Sequence, residues 1–144
     1  MKVEILNLCD YATGEMTGKM TLVGIFDVIY AKEAPVSIIM CSLAVRLRFD
    51  QNEQGIKRIK CTIVDSDGIV IVPATETIVQ VRVLPEWKTA TAQVVALIPQ
   101  LRLPHFGDYS VELEIDGRLE SASPLYVREV PMESPRFQIP QRPA

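Results

Sequence analysis

The chain has 144 residues, 48% of them hydrophobic, and a formal net charge of −3. That length suits a single domain, and the apolar content suits a core that closes without disulfides or metal. The acidic balance argues against a nucleic-acid or anionic-membrane binder, because such proteins need excess cations to displace counterions from phosphates.

The opening MKVEILNLCDYATG does not read as a signal peptide. Glu4, Asn7 and Asp10 interrupt any apolar core, and no A-x-A cleavage site follows. No window reaches the roughly 18–20 uninterrupted apolar residues of a transmembrane helix. A cytoplasmic protein with no membrane contact is expected. Cys9, Cys41 and Cys61 are odd in number, far apart in sequence and free of any CxxC spacing. They are expected as buried free thiols, and zinc would need closer ligand pairs and more histidines.

Period-two patterning runs through the chain. Residues 20–30 are apolar on both faces, which predicts a central strand or one covered by a loop. In LAVRLRF, residues 43–49, Leu43, Val45, Leu47 and Phe49 alternate with Arg46 and Arg48. In residues 59–65, Ile59, Cys61 and Ile63 alternate with Lys60 and Thr62. Residues 79–83 and 109–115 repeat the pattern, and such alternation marks half-buried strands. SDG at 66–68 is a turn. Asp116-Gly117 joins two strands, and a three-residue loop there would set Leu113 opposite Leu119 on the inner face. Prolines 35, 73, 85, 99 and 104 are read as separators between strands, and Pro99 argues against a helix in VVALIPQLRL. Trp87, in LPEWKTAT, is read as a plug tucked under the fold.

About eight short strands at this spacing predict an all-β protein. The expected form is a single antiparallel β-sandwich over residues 1–130, immunoglobulin-like or jelly-roll in topology. Residues 131–144, PMESPRFQIPQRPA, hold four of the ten prolines and are expected as an extended tail.

Several short motifs carry a resemblance. They are DYA at 10–12, GK at 18–19, GIFD at 24–27, DSDG at 65–68 and GDYSVELEIDG at 107–117, ending in PLYV at 124–127. Together they resemble a family of small, uncharacterised bacterial proteins known only as a domain of unknown function. The resemblance spans residues 3–127. It implies a β-sandwich and brings no catalytic residues with it.

The reactive groups are few. His105 is the only histidine, so a cupin-type metal site fails, and no G-x-S-x-G elbow accompanies it. It is read as a loop or edge residue. An EF-hand loop starting at Asp65 would place Ile69 and Val70 where a ligand and a glycine are required. Asp10 and Asp27 could pair as acid and base, but neither has a visible chemical partner. No catalytic residue, cofactor or metal is expected, and no enzymatic activity.

One constellation invites a functional reading. If residues 43–49 and 57–64 form a hairpin around DQNEQG, then Arg48 faces Arg58 and Arg46 faces Lys60. Four like charges on one face destabilise the pairing, and something must offset them. Glu112, Glu114 and Asp116 of a neighbouring strand would do so, as would a bound anion or an acidic partner. The expected function is a non-catalytic protein-interaction or structural module with a protein partner or a second copy. The alternative is a small-ligand or anion-binding protein using Arg46, Arg48, Arg58 and Lys60. In the tail, Phe137 and Ile139 flank Gln138 as in a strand-addition peptide, which makes them candidate oligomer contacts.

Overall fold

The structure, a computed structural model, describes residues 1–130. Eleven strands follow one another: β1 Lys2–Gly14, β2 Met20–Phe26, β3 Val28–Ala31, β4 Val36–Ile38, β5 Cys41–Asp50, β6 Gly55–Asp65, β7 Val70–Val81, β8 Thr89–Ile98, β9 Leu101–Leu103, β10 Gly107–Ile115 and β11 Arg118–Glu129. They form three sheets, in the orders β2-β1-β5-β8, β3-β11-β10-β6-β7 and β4-β9. The expected all-β class holds. Eight strands in one sandwich do not describe it, because there are more strands and a third, two-stranded sheet.

The two large sheets share one core. Leu43, Val45, Leu47 and Phe49 of β5 belong to the same buried cluster as Ile59, Cys61 and Ile63 of β6 and Val111 and Leu113 of β10. Each strand turns one row of its alternation inward, as the pattern predicts. The small third sheet continues the β5–β8 ribbon in phase. Cys41 faces Ile98, and beyond the break at Pro99-Gln100, Val36 faces Leu103. Proline withholds a ladder donor there, and Gln100 takes a left-handed φ of 108°. The ribbon bends, and β9 delivers Leu101 and Leu103 to the core, both fully buried.

Residues 20–30 are not a central strand. They split at Asp27 into β2, an edge of one large sheet, and β3, an edge of the other. Their two-faced apolarity has a different cause. β1 leaves β5 after Cys9, and the β1–β2 hairpin folds over the outer face of β5 and β8. The Arg46 guanidinium donates to the Gly18 carbonyl at 2.6 Å, and Gln93 Nε2 donates to the Glu15 carbonyl at 2.7 Å. Beneath this arm Cys9, Ala12 and Ala44 form a second buried cluster with Met20 and Leu22 against it. Val23 and Tyr11, opposite each other, point away from it and are more than half exposed. The bend falls at Gly24, which has φ of 68° and leaves room for the Asp10 carboxylate.

Three further details depart from the sequence reading. Asp116-Gly117 is a two-residue loop with both residues at positive φ, so Glu114 faces Leu119. The register shifts one residue later, which leaves Leu119 58% exposed while Leu125 and Val127 are still buried. Pro73 lies inside β7 rather than between strands. It is tolerated because β7 is an edge and its ladder to β6 is irregular there. Trp87 is no plug: it stands in the β7–β8 loop at 58% exposure, and β9 fills the core instead. SDG at 66–68 is the expected turn, with Asp65 Oδ1 accepting from the amides of Asp67 and Ile69 at 2.9 Å.

Candidate functional site

The four cations do not share a face. β5 pairs with β1 and β8, whereas β6 pairs with β10 and β7, so residues 43–49 and 57–64 form no hairpin. The link at Gln51–Glu53 is a 3₁₀ turn that carries the chain from one sheet to the other. The reason is burial. Set in opposite sheets, the inner rows of β5 and β6 face each other across one core and close it from both sides. Their polar rows therefore point outward in opposite directions.

Each cation pair meets carboxylates of its own sheet. Glu4 of β1 receives Arg46 Nε at 3.1 Å and Arg48 Nε at 3.0 Å. Arg48 and then Arg46 hold the Glu4 carboxyl below its ordinary range, against the opposing effect of desolvation. Arg48 also donates to Thr89 Oγ1 at 2.9 Å, and Arg46 holds the arm through Gly18. On the other sheet Arg58 meets Glu76 at 3.0 Å and Lys60 meets Glu114 at 3.6 Å. The Asp116 carboxylate accepts the Arg58 backbone amide at 2.9 Å. Of the three acids expected to offset the cations, Glu114 does so, Asp116 instead accepts a backbone amide, and Glu112 forms no ion pair among the described residues. Glu4 and Glu76 were not legible as partners, because nothing in local patterning says which strands become neighbours. A shallow open hollow of about 550 Å³ lies over this second pair of cations, with Ile56 and Ile78 among its lining residues.

The remaining reactive groups have structural settings. His105 is exposed in the β9–β10 loop and stacks on Tyr109 with ring centroids 5.4 Å apart. The Tyr109 hydroxyl donates to the His105 carbonyl at 2.6 Å, a tyrosine corner that ties the start of β10 to the loop before it. Burial pushes the Tyr109 phenol up. Asp10 sits in mid-β1 opposite the Gly24 bend, not at the start of a turn, and the Asp27 carbonyl accepts the Tyr126 amide at 2.7 Å. Cys9, Cys41 and Cys61 are free and buried. Burial pushes the Cys41 and Cys61 thiols up to about 11, so both are protonated and weak nucleophiles near neutral pH. Among the described residues no group of three or more His, Cys, Asp or Glu is placed to hold a metal ion, and no helix is long and apolar enough to cross a membrane. Phe137 and Ile139 lie outside the described residues.

What the surface does offer is apolar. Tyr11, Val23 and Ile25 on the arm, Ile56 and Ile78 on the opposite sheet, Val95 and Leu97 on β8, and Trp87 all stand in solvent. This is an all-β protein whose conspicuous features are faces and edges of sheets. The chain belongs to the family of unknown function DUF6941, whose model matches residues 4–128. Neither the curated proteins nor the solved structures contain a match.

Proposed function

We propose that this protein is a non-catalytic interaction module that associates through its sheet surfaces, with a second copy of itself as the first partner to test. The observation that carries this reading is the Tyr11–Val23 pair. Two large apolar residues face each other across β1 and β2, both more than half exposed, beside the equally exposed Ile25. Contiguous exposed apolar side chains on a sheet are costly in an isolated monomer and mark contact surfaces. Trp87, of the residue type most enriched at contact centres, adds a second exposed anchor.

The connectivity supports the immunoglobulin-like form of the sandwich. The chain changes sheets between β5 and β6, between β7 and β8, and again before β10, β10 and β11 stay together as a hairpin, and β3 runs parallel to β11. The tyrosine corner fits the same form. Such folds carry many functions, so the surface and not the fold bears the proposal. The anion-binding alternative assumed a four-cation face. With the cations divided between two sheets and paired, it has lost the site it was built on.

Native mass spectrometry of the full chain at low and moderate salt tests the reading. Masses at multiples of 16.1 kDa that survive added salt are expected. A bare 16.1 kDa monomer at every concentration overturns self-association.

A further inference from the structure

The four edges of the two large sheets are not equally guarded. β7 carries Pro73 and Glu76 and has two register shifts. β3 is four residues long. β2 is bent at Gly24, with its φ of 68°. Each is a recognised device against edge-to-edge pairing. β8 has none of them. Its sequence TATAQVVALI holds no charge, proline or glycine, and all ten residues pair with β5 without a shift. Among the described residues nothing pairs with its other side.

The inner row of β8 is also unfinished. Ala90, Ala92 and Val94 point toward the core yet stay partly exposed, whereas facing core residues such as Leu113 are fully buried. The side chains are small, and the sandwich is open beside them. A strand added at this edge would need two bulky apolar side chains two residues apart. The chain contains that segment beyond the described residues, in Arg136-Phe137-Gln138-Ile139, and Pro135 and Pro140 limit it to four residues.

We propose that residues 136–139 of a second copy add to the free edge of β8, with Phe137 and Ile139 covering Ala92 and Val94. This rests on the interaction reading above and names its acceptor. A second copy is required by reach. The last described residue, Val130, follows β11 beside β3, at the end of the sheet away from β7 and β8. Crossing the end of the sandwich takes three strand spacings and one sheet spacing at right angles, about 17 Å, and the descent from Ile98 to Val95, beside which Arg136 would lie, adds about 10 Å. The six steps from Val130 to Arg136 give about 21 Å at full stretch. The segment falls short of its own β8.

The test uses the full chain carrying Phe137→Asp and Ile139→Asp, read by native mass and by amide hydrogen exchange. The wild type is expected as a dimer, and the variant as a monomer whose exchange over residues 89–98 is on the order of tenfold faster. Ala92→Lys, with the tail intact and the melting transition retained, is expected to dissociate the dimer as well. A monomeric variant with unchanged exchange at 89–98 overturns β8 as the acceptor and leaves the interaction reading standing. A variant that stays dimeric overturns the tail contact while self-association survives. A wild type that is monomeric throughout overturns both.

Discussion

β5 and β6 are neighbours in the chain with nearly the same pattern, and they meet different fates. Both alternate large apolar residues with cations, and both donate the apolar row to one core. β5 is then covered on its second face by the β1–β2 arm, so that Ala44 is wholly buried where a solvent face would be expected. β6 keeps its second face open, with Ile56 and Ile78 in water above the ion pairs. The difference teaches that alternation fixes which side chains lie together on a face. Whether that face meets solvent depends on a segment far off in sequence.

The largest effect follows from that contrast. Ala44→Asp places a carboxylate under the arm with no cation assigned to it, and should destabilise the protein by about 3 kcal/mol or more. Ile56→Thr, on the open face of β6, should change stability by no more than about 0.5 kcal/mol. Urea unfolding of the two variants checks the comparison. Equal effects would mean that the arm does not seal β5.

The buried thiols sharpen it further, since Cys41 belongs to β5 and Cys61 to β6. Both have folded values near 11 against an ordinary value of 9.0. Below pH 9 each thiol is protonated in folded and unfolded chains alike. Between about 9 and 11 the unfolded chain releases protons that the folded chain retains, so stability must fall as pH rises. The loss approaches about 2 kcal/mol per thiol at pH 11. Unfolding measured at pH 8 and 10.5 should show this fall in the wild type, and Cys41→Ala with Cys61→Ala should flatten it. A fall of equal size in the double variant would place the alkaline sensitivity elsewhere, with the Cys9 thiol and the Tyr109 phenol, both raised by burial, as the next groups to examine.

Much of the fold was legible because it is local. The inner residues of β5, β6 and β10, the SDG turn and the buried cysteines all follow from patterning and turn chemistry. The candidate site was legible only as a set of residues. Arg46, Arg48, Arg58 and Lys60 do project outward, but alternation reads the same whether two strands lie side by side or in facing sheets. Glu4 gives the same lesson from the other side. It is one acid in an apolar run, and its role appears only when β1 is seen to lie beside β5. Trp87 was misread because the plug came from β9, which the Pro99 break hides from a periodicity search. At Asp116-Gly117 one residue of register decided whether Leu119 faced the core, and turn chemistry alone allowed both loops.

The smallest effect separates the two sets of ion pairs. Glu4 lies at an exposed position, but its carboxylate receives two guanidinium groups that leave its side chain 23% exposed, and so helps hold β1 against β5. Arg58 and Glu76 are both about half exposed, and their pair is screened by water and salt. Glu4→Gln should therefore cost about 1 kcal/mol and persist in 1 M salt, while Glu76→Gln should cost under about 0.5 kcal/mol and vanish there. The pH dependence has a definite sign. The folded Glu4 carboxyl lies below its ordinary 4.5, so its contribution is present above that value and is lost as pH falls through the folded one. Wild type and Glu4→Gln should thus converge in stability on acidification. Their failure to converge, or a salt-sensitive Glu4 effect, would mean that both carboxylates are surface decoration and that burial of Ala44 alone holds the arm in place.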